Sequence, residues 1–372
     1  MVKIHNSMSS SEIDKADDLG LLQRFSDMRS ELLPGKQELL ELWLLPLFLK
    51  PKIRHIHGLS SISYGDDELI VVCVVKNGAL YIKSFVEHYL SMGVNHLVFL
   101  DNGSTDNTLE LLCAYDSCVT VLQTNAPYHT YENAMKRYLA NRFSKGRWHL
   151  CADIDELFVY PCSSKISLNK FLKYLNENGF TAVIAHLLDL FSEVPMANLE
   201  SNISDSLKDK YTYYDLSAIT RSDDYWWSKP PMSYGLKAHW GGVRTVLFGT
   251  NNGLTKAPLV KMDGKAQPFV QWHHVRNARL ADVSCVLQHY PFVSSFFTKV
   301  REAVETGCRG VFTDEYEAYW RELERNPNLN IKFETAQKFT GLDGLLEQGF
   351  IVASDQYRQW ISDHADSPSI SK

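Results

Sequence analysis

The chain is short of several features that would settle its class at once. Its seven cysteines, at positions 73, 113, 118, 151, 162, 285 and 308, include no CxxC pair and total an odd number. That pattern suits free thiols in a reducing compartment better than a disulfide frame. No stretch approaches the roughly 18 apolar residues of a spanning helix, and the first residues lack the basic-then-apolar pattern of a signal. Positive charge is not in excess either. With 38 basic and 44 acidic residues the net charge is −6, which argues against a general nucleic-acid binder. There is no internal repeat and no low-complexity segment. Together these absences lead to the expectation of a cytoplasmic protein without a nucleic-acid partner.

What is present is ordinary globular material: 372 residues, 45% hydrophobic and 22% charged. That suffices for one large domain with appendages or for two domains. The most informative stretch is Trp148 to Tyr160, where an apolar run of strand length leads into Asp153, Ile154, Asp155 and Glu156, and a second apolar run leads out. If the first strand continued, Asp153 and Asp155 would share one face. Carboxylates so placed repel unless a cation lies between them, and a divalent ion with a phosphate-bearing ligand would serve. The bland alternative is a solvated acidic turn.

Around that stretch strands alternate with helices. Leu69–Val75 is a continuous apolar run, the mark of a strand buried on both faces. Ala79 to Met92 has a helical apolar stripe and stops at Gly93. Val94 to Leu100 and Val119 to Gln123 are further strands, with a capped turn from Asp101 to Asp106 and a helix from Thr108 to Ala114 between them. Glu132 to Phe143 precedes the acidic strand as a helix. The expected class is therefore α/β, a doubly wound mixed sheet with helices on both faces and helical extensions at each end. Ligands of such sheets bind at the carboxyl ends of the strands. The turn at Asn77, the loop at Asp101 and the acid pair would then open onto one edge.

The run VVCVVKNGALYIKSFVEHYLSMGVNHLVFLDNGSTDNT, followed by WHLCADIDELFVY, resembles the bacterial family 2-like glycosyltransferases of glycosyltransferase-A fold. Downstream, GGVRTVLFG, KAPLVK, a His-His pair, VLQHYPF and EYEAYW resemble the later half of the same group, so the likeness covers about residues 68–323. It implies a catalytic domain over 66–325, with a nucleotide-binding half (66–160) and an acceptor half (161–325), a helical extension over 1–65 and a helical tail over 326–372. It also implies that Val75, Asn77, Asp101 and Asn102 face the nucleotide, with Asp101 and Asn102 near base and ribose. Asp153 and Asp155 would hold Mn2+ or Mg2+ on the diphosphate of a sugar nucleotide, a UDP-sugar being favoured, and the transfer would invert. One departure is Gly78, where relatives usually carry Glu after the Asn.

Glycosyl transfer releases a diphosphate, so a metal ion and further cations are wanted at the leaving oxygen. Arg244, Lys256 and Lys261 are candidates for that charge, each with an ordinary surface salt bridge as its alternative. His274 and His289 follow the last apolar strands and could complete the metal shell or touch the diphosphate. His186, set among apolar neighbours, is expected in the core. The transfer also needs a base for the acceptor hydroxyl. Asp189, at the end of the strand Thr181 to Leu190, is the expected base, with a loop-capping acid as its bland alternative; Glu193, Asp223 and Asp224 are also in range. Trp226 and Trp227, in the Asn- and Ser-rich stretch from Pro195 to Pro231, would stack a glycan or other cell-surface acceptor, or anchor their own loop.

Two rival readings remain open. One is a non-catalytic sugar-nucleotide or glycan-binding protein of the same fold. The other is a Mg-dependent phosphohydrolase, disfavoured because the acid pair follows several strand–helix units rather than the first strand. Last, Leu39 to Leu49 is almost wholly apolar, interrupted by Pro46 and followed by Lys50, Lys52 and Arg54. It is expected to pack on its own domain or in a homodimer, peripheral membrane contact being the alternative.

Overall fold

A computed structural model of the chain describes residues 42, 44–200, 202–223, 234–269, 274–306 and 313–366. Its centre is a nine-stranded sheet. In chain order the strands are β1 (Arg54–His57), β2 (Leu69–Val75), β3 (Leu97–Asp101), β4 (Val119–Gln123), β5 (Trp148–Cys151), β6 (Glu156–Val159), β7 (Ala182–Asp189), β8 (Thr255–Lys261) and β9 (Cys285–His289). Across the sheet they lie in the order β1-β4-β3-β2-β5-β8-β7-β9-β6. Every residue of β2, β3, β7 and β5 is buried, as continuous apolar runs require when both faces are covered. The mixed α/β architecture expected from the sequence is the one observed.

The helices that cover the sheet follow the same logic. Helix α1 (Leu45–Leu49) is short. Helix α2 (Ile82–Ser91) buries Ile82, Phe85, Val86 and Tyr89, the predicted stripe, and Gly93 at φ +97° ends it. Helix α3 (Thr108–Cys113) precedes β4, and α4 (Tyr128–Phe143) begins four residues before the predicted start. Helix α5 (Leu168–Glu177) precedes β7, and α6 (Val243–Phe248) leads towards β8. Helices α7 (Phe296–Thr306) and α8 (Thr313–Arg325) pack together over a separate aromatic cluster of Phe248, Phe292, Phe296 and Tyr319. The chain ends in α9 (Asp343–Glu347) and α10 (Asp355–His364). Among the described residues no helix is long and apolar enough to cross a membrane.

One boundary differs from expectation. Arg54–His57 was expected in a helical extension, but it pairs antiparallel with β4 as the edge strand of the main sheet. Alternation in RHIH was too short to mark a strand in the sequence. The described part of the N-terminal apolar run divides: Leu45 and Leu49 are buried against α4, while Leu44, Leu47 and Phe48 are exposed. Leu39 to Glu41 and Trp43 lie outside the described residues.

Candidate active site

Strand direction assembles the site. β2, β3, β4 and β5 are mutually parallel, β8 runs antiparallel to both β5 and β7, and β7 is parallel to β9. The carboxyl ends Val75, Asp101, Gln123, Cys151, Asp189 and His289 therefore share one edge. β8 and β6 run the other way and bring their amino ends, Thr255–Lys256 and Glu156, to that same edge. A cavity of 1310 Å³ opens there. Ligand pockets typically measure roughly 300–1,000 Å³, so this one has room for more than one small ligand.

Of the residues singled out from the sequence, Val75, Asn77, Asn102, Asp153 and Asp155 line the cavity from the chain before residue 160. Arg244, Lys256, His274 and His289 line it from the other half. Three expectations need correction. Asp101 is fully buried and off the cavity wall; its carboxylate accepts from Gly103 N (3.2 Å), Ser104 N (3.2 Å) and Gln123 Nε2 (3.1 Å), so it shapes the loop. Lys261 sits at the far end of β8, opposite Trp148, and donates to Asn176 Oδ1 at 2.7 Å; the antiparallel course of β8 takes it away from any diphosphate at this edge. Asp189 is treated below. Trp226 and Trp227 lie outside the described residues.

Around Asn77 and Asn102 the loops brace one another. Asn77, at φ 53°, accepts from Thr105 N at 2.8 Å, and its own N–H donates to Ser104 Oγ at 2.9 Å. Asn102 donates to Thr124 O (3.2 Å) and Ala126 O (2.8 Å), fixing the segment that leads to α4. Asn125, Tyr128 and His129 of that segment also line the cavity and had no signal in the sequence beyond lying after a strand. Gly78 has a local cause: a Cβ there would fall 2.6 Å from Val75 Cγ2.

The acid loop departs from the extended strand imagined for it. β5 ends at Cys151, and residues 152–155 turn, with Glu156 N donating to Asp153 O at 2.9 Å. The two aspartates consequently look in different directions. Asp153 lies 3.1 Å from Lys136 Nζ and 2.9 Å from Lys256 Nζ. Both lysines are buried, which alone would drive off their protons, but the surrounding carboxylates outweigh burial and keep both ammoniums charged. Asp155 Oδ2 faces His289 Nε2 and Lys299 Nζ, each at 3.7 Å.

Glu156, which the sequence reading left unassigned, opens β6 directly across from His289 on β9. It is buried, its Oε1 is paired with Lys256, and its Oε2 accepts from Asp153 N at 3.1 Å. Burial raises its pKa, and the Lys256 ammonium opposes that rise.

His289 in turn faces Asp189 across the β9–β7 pairing, with Nδ1 2.6 Å from Asp189 Oδ1. Asp189 Oδ2 accepts from Arg244 Nε at 2.9 Å, and Arg244 Nη1 lies 3.8 Å from Glu315. Burial would raise the Asp189 pKa, but Arg244 and the His289 hydrogen bond hold it down at about 2. A carboxylate so reluctant to take a proton makes a poor general base. Its geometry is that of a group that orients His289, which differs from the role expected for it. His186 is buried as expected, bonded to Thr255 Oγ1 at 2.9 Å and stacked on His239 with ring centroids 3.9 Å apart.

Asp155, Glu156 and His289 each offer a ligand atom, all within 4.8 Å of one another. Two carboxylates and an imidazole fit Mn2+ better than Mg2+, which prefers oxygen alone. The Asp189 bond to Nδ1 leaves Nε2 of His289 turned towards this cluster, the usual support for an imidazole ligand. Asp153 stands apart with the lysines, and His274 is on the cavity wall outside the cluster.

No protein-family model matches the chain, and no curated protein matches it. Among solved structures the chain is similar to S. aureus TarS 1-349, at 14% identity over 72% of this chain and 76% of that one, with a TM-score of 0.28. It is also similar to S. aureus TarS 1-349 in complex with UDP, at 17% identity and a TM-score of 0.25. That match covers 33% of this chain and 35% of that one, so the chain spans about a third of it. A structure of S. aureus TarS matches at 18% identity over 35% of this chain and 26% of its own, again with a TM-score of 0.25.

Proposed function

We propose that this protein is a glycosyltransferase that moves a sugar, with inversion, from a nucleoside diphosphate sugar, UDP-sugar favoured, to a hydroxyl of a glycan or other acceptor. The observation that carries the reading is the meeting, at one cavity, of the Asn77 and Asn102 loops with the acid cluster of Asp155, Glu156 and His289. The sequence resemblance to glycosyltransferases supports it. The nucleoside would lie along Asn77, Asn102 and the segment from Asn125 to His129, and the diphosphate over the acid loop.

A Mn2+ or Mg2+ ion held by Asp155, Glu156 and His289 would act as a Lewis acid on the diphosphate. The chain's own residues do the rest. Lys136 and Lys256 hold Asp153 and Glu156 in place, so the acid loop is set before the donor arrives. In the transfer the sugar C1–O bond breaks and leaves its electron pair on the outer phosphate. The acceptor oxygen forms the new C1–O bond, and its proton passes to a carboxylate on the acceptor wall. Asp314, at the start of α8, lines that wall and has no ion-pair partner among the described residues. We assign it the base role in preference to Asp189.

The test is a panel of nucleotides in a thermal-shift assay with and without Mn2+. Stabilisation by UDP that depends on Mn2+ is expected; a preference for GDP would refute the uridine assignment. Binding without sugar release or transfer, over a panel of UDP-sugars and acceptors, would instead favour a non-catalytic binding protein.

A further inference from the structure

Helix α7 borders the mouth of the cavity with polar side chains. Phe296, Val300 and Ala303 are buried, two of them in the aromatic cluster with α8. Ser295, Thr298, Lys299 and Glu302, at helical spacing, line the cavity, while Phe297 is exposed and packs on Trp320 with ring centroids 5.3 Å apart. A helix at the protein surface ordinarily sends such polar residues to solvent. Thr298 and Glu302 are indeed exposed, but Lys299 reaches across the cavity mouth, its ammonium 3.7 Å from Asp155 Oδ2.

The cations of this edge are not equivalent. Lys256 is fixed between Asp153 and Glu156, Lys136 between Asp153 and Glu132, and Arg244 between Asp189 and Glu315. Lys136 and Lys256 are buried, Arg244 is only slightly exposed, and each serves two carboxylates. Lys299 is 37% exposed, and its separation from Asp155 exceeds hydrogen-bond length, so the pair is held by Coulomb attraction alone. An ammonium on a four-carbon stem can change partners with small rotations, which a doubly held guanidinium cannot. Lys76 also lines the cavity, but it follows β2 beside Asn77, on the side assigned to the nucleoside.

We propose that Lys299 is a catalytic residue: it rests on Asp155 when no donor is bound and passes to the outer phosphate of the nucleoside diphosphate when the donor occupies the acid loop. This rests on the glycosyltransferase reading above. The breaking C1–O bond leaves its electron pair on that phosphate while the acceptor oxygen makes the new bond, so negative charge grows where Lys299 can meet it. The sugar nucleotide would thereby displace an internal counter-ion, and α7 would close on the donor by its charge.

The experiment compares UDP and UMP binding to the full chain, Lys299→Met and Lys299→Arg by calorimetry with Mn2+ present. Loss of one charge-assisted contact to the outer phosphate should weaken UDP by about 10- to 100-fold in Lys299→Met. UMP, which lacks that phosphate, should change little, and Lys299→Arg should recover most of the loss. Unchanged thermal stability is expected, since the side chain is partly exposed, and separates a binding loss from unfolding. Equal UDP affinity in wild type and Lys299→Met overturns the proposal, as does an equal loss for UDP and UMP. If the wild-type chain binds no nucleoside diphosphate at all, the functional reading itself falls, and this inference with it.

Discussion

His289 Nδ1 lies 2.6 Å from one oxygen of Asp189, and Arg244 Nε lies 2.9 Å from the other. The three side chains come from β9, β7 and α6, so a single buried carboxylate ties together three elements on one side of the cavity. Its removal should be felt in stability and in the behaviour of His289 alike.

For Asp189→Asn the expected loss is roughly 3 kcal/mol, because Arg244 would keep its burial and lose its closest counter-charge. The folded pKa of about 2 lies below the unfolded carboxylate value, so this stabilisation is present above about pH 4 and fades as pH falls towards 2. Urea unfolding at pH 7 and pH 2.5 measures both. The same substitution should weaken Mn2+ binding about 10-fold through the freed imidazole, whereas a base lost from the acceptor side would lower turnover at unchanged Mn2+ affinity.

The two aspartates of the acid loop should part company on mutation. Asp155→Ala is expected to abolish transfer and Mn2+ binding with little change in melting temperature. Asp153→Ala strands part of the charge of two buried lysines and should cost roughly 3 kcal/mol. Full activity in the presence of excess chelator, or normal turnover in Asp155→Ala, would remove the metal from the mechanism.

Acid should destabilise the fold well before its carboxylates are protonated. Burial lowers the pKa of His88, His149 and His239 to about 3, and that of His186 also falls well below its ordinary value. Among the described residues neither ring nitrogen of His149 has a hydrogen-bond partner. Below about pH 6.5 the unfolded chain binds protons that the folded chain refuses, so stability drops as pH falls, by about 1.4 kcal/mol per pH unit for each such group. Denaturant midpoints between pH 7.5 and 5 should show this slope, and His149→Leu should make it shallower.

Much of this arrangement was written in the sequence, but only where one strand or helix decides the matter. The all-apolar β2 and the stripe of α2 could be read directly, because burial on two faces or one leaves a periodic trace. The convergence of Asn77, Asn102 and the acid loop followed from strands that alternate with helices. Strand direction left no such trace. Nothing in KAPLVK distinguishes a parallel from an antiparallel course, so Lys256 and Lys261 looked alike, although one enters the cavity and the other bonds Asn176 on the far side. Glu156 was overlooked because its importance comes from the register that sets it opposite His289, more than 130 residues later in the chain. Lys299 was hidden by a helix whose polar face reads as solvent-facing.

Removal of residues 1–60 is expected to cause aggregation or altered oligomerisation. It deletes Leu45 and Leu49 from their seat on α4 and strips β1 from β4, opening a sheet edge to other chains. Light scattering after size exclusion provides the measurement. A truncated chain that stays monomeric and active, and has lost only liposome binding, would favour a membrane-interface role for the apolar run.

The grip of Lys136 and Lys256 on Asp153 also bears on modularity. One lysine comes from α4 and the other from β8, so each half of the chain supplies part of the neutralisation that the acid loop needs. With β8 hydrogen-bonded directly to β5, the sheet has no seam at which the halves could part. A fragment ending at residue 160 would carry Asp153 and Glu156 without Lys256, and any exchange of the later half would have to preserve that one lysine. The chain can be cut on paper at residue 160, but its electrostatics make the two sides a single inheritable unit.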